Sequence, residues 1–292
     1  MIHVSRSIPL ALGSSHLRVV FRDLCRTLNY YSSPRGEIAQ TTGGGLVCEH
    51  WHYLPDWVHS FQICDAGREL KLHLNLHSGV APVEIEALTD ELSRDLSAVV
   101  SHPVQPFRTR VFCIGWSKTG TTSLTQALRM LGLFSWHWAP WVIGFEHICS
   151  HPSEFRLDLS GVGDYTAMSD LPICTLYREL DQAFPGSLFI LATRPLERWL
   201  SSTTADIEDC IRWIGQMDAV ERWAYGTDVV DTAVFERRYL QHREQAADYF
   251  AGRPDLLTID LSEANPWARL CEFLQLPVPA LAFPHLNRRR SE

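Results

Sequence analysis

Two stretches of this 292-residue chain hold residues that could do chemistry together. The first is Gly115-Trp-Ser-Lys-Thr-Gly-Thr-Thr-Ser123, set between the apolar run 111–115 and the amphipathic run 122–131. A buried strand that passes through a glycine-rich turn into a helix aims backbone N–H groups and a positive dipole end at one point, which makes an anion site. Gly115 and Gly120 allow backbone shapes that side chains resist. Thr119, Thr121, Thr122 and Ser123 add hydroxyl donors, and Lys118 adds a charge. In enzymes that use nucleoside triphosphates, a lysine directly follows the second glycine and the next Ser or Thr holds Mg²⁺. Here Thr121 stands in the lysine position and Lys118 precedes Gly120. The bland alternative is a capped strand-to-helix turn.

The second stretch is LFILATRPLERWLSS, in which Arg194 ends an apolar strand and Ser202 follows eight positions later, with Ser201 beside it. A guanidinium suits phosphate because it donates in pairs and keeps its charge. Taken alone, Arg194 could equally be one half of a structural ion pair.

The lysine-first spelling K-T-G-T-T-S resembles the phosphosulfate-binding loop of sulfotransferases, and Arg194 with Ser202 resembles their second element on the 3′-phosphate. The tail Phe283-Pro-His-Leu-Asn287 and the helix bearing Tyr239 and His242 fit one branch of that family. The resemblance covers about 108–292. It implies a sulfuryl transfer from 3′-phosphoadenosine 5′-phosphosulfate (PAPS) to a hydroxyl or amine, with no metal. Lys118 would then meet the bridging oxygen of the leaving phosphate. Thr119, Gly120, Thr121, Thr122 and Ser123 would hold the 5′-phosphate. Arg194 and Ser202, with Arg288 from the run 288–290, would hold the 3′-phosphate, although that run also reads as a solvated charge run.

Family members use a His or a carboxylate as general base. Asp170 stands in a D-x-P turn like that of this branch, and His137 follows the first helix; Asp164 is a third choice. A His titrates near neutrality and is a natural base. Asp170 fits the branch pattern better, but it also reads as a helix N-cap. His137 also reads as a member of an aromatic cluster. Trp136, Trp138, Trp141 and Trp199 gather near the expected site and suit either an acceptor wall or the core. The acceptor is expected to be a small molecule, a lipid or a carbohydrate. Two rival readings stand beside this one: a nucleotide-dependent kinase, and a non-catalytic interaction protein that keeps the fold.

These residues need a scaffold, and the run 107–292 supplies one in sequence. VFCIG (111–115), SLFILATR (187–194) and LLTIDLS (256–262) read as buried strands. Between and after them, 122–131, 171–184, 196–214, 235–250 and 266–276 read as helices. Apolar strands alternating with helices predict an α/β fold of P-loop type, a mainly parallel sheet with helices on both faces. Residues 1–106 differ and predict a separate, β-rich α+β accessory domain of unknown role. HLRVVF (16–21), HSFQICD (59–65) and LKLHLNLH (70–77) read as strands, 36–46 as a loop and 82–100 as an amphipathic helix. Cys48, His50, His52, His59, Cys64, His73 and His77 invite a zinc site, but their spacings match no usual finger and no metal is expected.

Bulk composition narrows the class. A net charge of −8 argues against a nucleic-acid partner, which needs a basic footprint. Eight scattered cysteines without a C-x-x-C pair read as buried thiols of a reducing compartment, hence a cytoplasmic location. No apolar run reaches the length of a membrane span, and the first residues show no cleavage signal. Oligomeric state is not legible.

Overall fold

The computed structural model describes residues 1–31, 38–40, 46–49, 58–144 and 156–286. They form two compact units, one over Met1–Val104 and one starting at Gln105.

The first unit contains β1 (Ile2–Pro9), α1 (Ser14–Tyr31), β2 (Ile38–Gln40), β3 (Leu46–Glu49), β4 (Val58–Asp65), β5 (Glu69–Leu76) and α2 (Pro82–Val100). Its sheet is antiparallel in the order β1-β5-β4-β3-β2. Alternation along β5 buries Leu70, Leu72, Leu74 and Leu76 on one face, as a half-buried strand requires. The segment 16–21 is not a strand but the start of α1. Leu17, Val20 and Phe21 are its buried residues, at a spacing of three and four that a six-residue window confuses with alternation. The predicted loop 36–46 contains β2, which pairs with β3. Of the Cys and His residues between 48 and 77, His50 and His52 lie outside the described residues, as do the side chains of Cys48 and His59. His73 stacks on His3 at 5.4 Å.

The second unit contains β6 (Val111–Cys113), α3 (Thr121–Met130), β7 (Ser135–His137), β8 (Ala167–Ser169), α4 (Tyr177–Ala183), β9 (Leu188–Thr193), α5 (Leu196–Ile214), α6 (Ala219–Tyr225), α7 (Thr232–Tyr249), β10 (Leu256–Asp260) and α8 (Pro266–Leu274). The sheet is parallel throughout, in the order β10-β9-β6-β8-β7. Alternate residues serve opposite faces. Val111, Cys113, Ile190, Ala192 and Ile259 pack with Leu124 and Leu128 of α3 and with Trp267 and Leu270 of α8. On the other face Phe112 and Phe189 meet Phe184, which follows α4, and Phe250, which follows α7. Two covered faces explain why β9 reads as an uninterrupted apolar run.

The central strand β6 decides where a site can be. From it the chain crosses to β7 and β8 on one side, then to β9 and β10 on the other. Right-handed crossovers in opposite directions part their helices and leave a crevice beyond the carboxyl end of the strand where the order switches. Ile114–Gly120, Asp170 and Arg194 all follow carboxyl ends of the three central strands. Asp164 precedes β8, lies at its opposite end and is exposed. Among the described residues no helix is long and apolar enough to cross a membrane.

Candidate active site

The loop after β6 is held from below by backbone contact. The Ile114 amide donates to the Ile190 carbonyl at 2.8 Å. A Cβ added to Gly115 would lie 2.5 Å from the Ala192 carbonyl oxygen, so only glycine lets β6 leave the sheet this close to β9. Gly120 takes φ +94° to start α3, and Lys118 stands at φ +67° in a region that non-glycine residues rarely occupy. Inside the loop, the Thr119 hydroxyl donates to the Trp116 carbonyl at 2.7 Å.

Three side chains from distant elements lock this shape. Trp199 of α5 donates its indole N–H to the Ser117 carbonyl at 2.8 Å. His242 of α7 donates Nε2–H to the Ile114 carbonyl at 2.7 Å, and burial pushes its pKa down to about 4, which keeps it neutral. Arg194 donates to the Lys118 carbonyl at 3.0 Å. Tyr239 fixes Arg194 in turn: its hydroxyl accepts from the Arg194 amide at 2.9 Å and donates to the Arg194 carbonyl at 2.8 Å. The Tyr239 ring lies flat on Trp199, with centroids 4.1 Å apart. Trp199 is therefore a buttress of the loop, fully buried, and not an acceptor wall. Trp136 and Trp141 are also buried, edge to face with each other. Trp138 is only partly buried.

An open cavity of about 790 Å³ joins the two stretches that the sequence singled out. Thr119, Gly120 and Ser123 line one wall, and Arg194, Ser201 and Ser202 line another. Both serines reach it. Arg198, one turn before Ser202 on α5, also lines it and was not legible as a site residue. Its signal was the i, i+4 spacing to Ser202. The Leu286 amide donates to the Ser123 hydroxyl at 2.9 Å, bringing the tail from Phe283 onward against the same cavity. Arg288 lies outside the described residues.

Thr121 and Thr122 turn away from this cavity toward the two candidate bases. Thr121 donates to Asp170 Oδ2 at 2.9 Å. His137 Nε2 lies 2.8 Å from the same oxygen, 3.2 Å from the Thr121 hydroxyl and 3.4 Å from the Thr122 hydroxyl. The Leu171 amide donates to Asp170 Oδ1 at 2.8 Å. Asp170 is not a helix N-cap: it sits at φ +70° before a cis Leu171–Pro172 bond, and its carboxylate serves the pair instead. Burial pushes the Asp170 carboxyl up, but adjacent His137, the Leu171 amide and the Thr121 hydroxyl outweigh burial and bring it down to about 2. The two bases proposed as alternatives are thus one hydrogen-bonded pair. Lys118 points elsewhere, to Asp206 of α5 at 2.6 Å.

A parallel α/β sheet with a glycine-turned loop at its switch point, facing an arginine from the next strand, has its crevice where sheets of this class hold their ligands. Residues 110–291 match the family model described as sulfotransferase domain. The chain belongs to that sulfotransferase family and is a transferase. It is also similar to Ava biosynthesis cluster protein M of Aspergillus versicolor, at 25% identity over 215 residues, which cover 61% of this chain and 80% of that protein.

Proposed function

We propose that this transferase moves a sulfuryl group from PAPS to the hydroxyl or amine of a small-molecule acceptor. The observation that carries the reading is the cavity that unites Thr119, Gly120 and Ser123 with Arg194, Arg198, Ser201 and Ser202. A cavity lined both by a helix-start turn and by two guanidinium groups suits a nucleotide phosphorylated at both 5′ and 3′ positions. The fit rests on this cradle: backbone amides and the dipole end of α3 at one wall, guanidinium and hydroxyl groups at the other. Arg194 and Arg198 face Glu197 and Asp260 across the same lining, and the third carboxylate there, Glu263, is paired with Arg269.

In this reading Lys118 neutralises the bridging oxygen as the S–O bond to the leaving phosphate breaks. The acceptor oxygen or nitrogen forms the new bond to sulfur and gives its proton to His137. Asp170 accepts from His137 Nε2–H, which leaves Nδ1 as the basic nitrogen, and Asp170 stabilises the imidazolium that forms. Asp170 itself is too acidic, at about 2, to be an efficient base near neutrality. The role therefore passes from Asp170, favoured by the sequence pattern, to His137. The kinase alternative is weakened by Thr121, which occupies the kinase lysine position and is engaged with Asp170. A small-molecule acceptor also agrees with a relative described as a biosynthesis cluster protein.

Calorimetric titration with 3′-phosphoadenosine 5′-phosphate, AMP and Mg-ATP tests the reading, on the native chain and on Arg194→Ala. Selective binding of the 3′-phosphorylated nucleotide, lost in Arg194→Ala, is the expected result. Preference for Mg-ATP would overturn it in favour of phosphoryl transfer.

A further inference from the structure

One face of α5 carries Arg198, Ser202 and Asp206 at successive intervals of four, so the three form one stripe along the helix. The first two line the cavity. The third ends the stripe with the opposite charge, and its carboxylate holds the Lys118 ammonium at 2.6 Å. The pair is accessible, with the Lys118 side chain 26% and the Asp206 side chain 43% exposed, so water and ions can compete for it. The Lys118 backbone is fixed by the Arg194 bond to its carbonyl, which leaves the long side chain as the part able to move. Its ammonium cannot serve Asp206 and a phosphate oxygen with full strength at once.

We propose that Asp206 is a positioning residue that holds the Lys118 ammonium and competes with the donor for it. This rests on the donor-site reading above. Donor binding then exchanges one anionic partner of Lys118 for another, and the lysine is drawn to the phosphate only when the nucleotide is seated. Asp206 lowers nucleotide affinity and in return keeps the ammonium beside its loop.

The test is a double-mutant cycle read by calorimetry with 3′-phosphoadenosine 5′-phosphate. Asp206→Asn should tighten binding about fivefold, the scale of a partly exposed ion pair. Asp206→Ala should do the same, and a misfolded protein would bind more weakly, not more tightly. In a Lys118→Met background Asp206→Asn should change affinity by less than about twofold, because no ammonium is left to release. Glu197→Gln, which removes a carboxylate from the cavity lining, gives the general effect of charge and should act alike in both backgrounds. If native protein binds the nucleotide but Asp206→Asn and Asp206→Ala do not tighten it, or tighten it equally without Lys118, the positioning role is overturned and the donor site stands. If native protein binds no 3′-phosphorylated nucleotide, the donor site falls and the positioning role with it.

Discussion

The Gly115–Ser123 loop and the His137–Asp170 pair meet at the first turn of α3, and they are built in opposite ways. The loop is a continuous piece of chain whose shape comes from backbone: a glycine against Ala192, a left-handed Gly120, and carbonyls held by Trp199, His242 and Arg194. The pair is made of side chains from the ends of β7 and β8, joined only because these strands are neighbours in register, with His137 opposite Ser169. A backbone cradle binds a fixed anion well, but its amides do not act as acid or base. A side-chain pair can carry a proton but cannot hold a nucleotide. In the proposed reaction this difference is a division of labour, binding on one side and proton transfer on the other, with Lys118 at the border.

Lys118→Met should give the largest effect, a fall of about 10²–10³ in kcat, because the proposed reaction places its charge on the leaving oxygen. Steady-state kinetics with a sulfated product readout checks it; an unchanged kcat would move the lysine to the binding side. His137→Ala comes next, with kcat down about 10² and nucleotide affinity within about twofold of native. A comparable loss of affinity would break the proposed division.

Smaller effects separate the two regions by pH. His242, under the loop, has a folded pKa of about 4 against an ordinary 6.5. The unfolded chain therefore gains a proton that the folded chain refuses, and stability falls as pH drops from 6.5 to about 4, by about 3 kcal/mol in all. Asp170, in the pair, is held at about 2 against an ordinary 3.8. Its contribution is present above pH 3.8 and lost as pH falls to about 2, a loss of about 2 kcal/mol. Urea unfolding across this range should show both limbs. His242→Gln should flatten the upper limb and Asp170→Asn the lower; one substitution erasing both would show that the two regions are not independent. Gly115→Ala should have a stability cost of the same order as these limbs, about 1–3 kcal/mol, by overpacking against Ala192, and should weaken nucleotide binding more than it slows turnover at saturation.

Legibility followed the same line. The loop, α3, Arg194 at the end of β9, α5 and α8 were readable because each is local: apolar period, glycine and cap lie within one short window. β7 and β8 were not, since each has three residues and too few positions to show a period. α6, with seven residues, escaped for the same reason. Asp170 and His137 were found as separate candidates because nothing in the chain order says that positions 33 apart share a hydrogen bond. Asp206 was missed because a carboxylate on a surface helix looks like any other until its partner is known.

The strand–loop–helix units, the parallel sheet and the residue types of the loop after β6 follow from the chain alone, because short-range periodicity and glycine stereochemistry are written along it. Only the tertiary structure decided that two rival bases are one pair, that Trp199 is a buttress and that Lys118 rests on Asp206. Each of those depends on which strand or helix lies beside which, and that is set by the packing of the whole sheet rather than by any window of sequence.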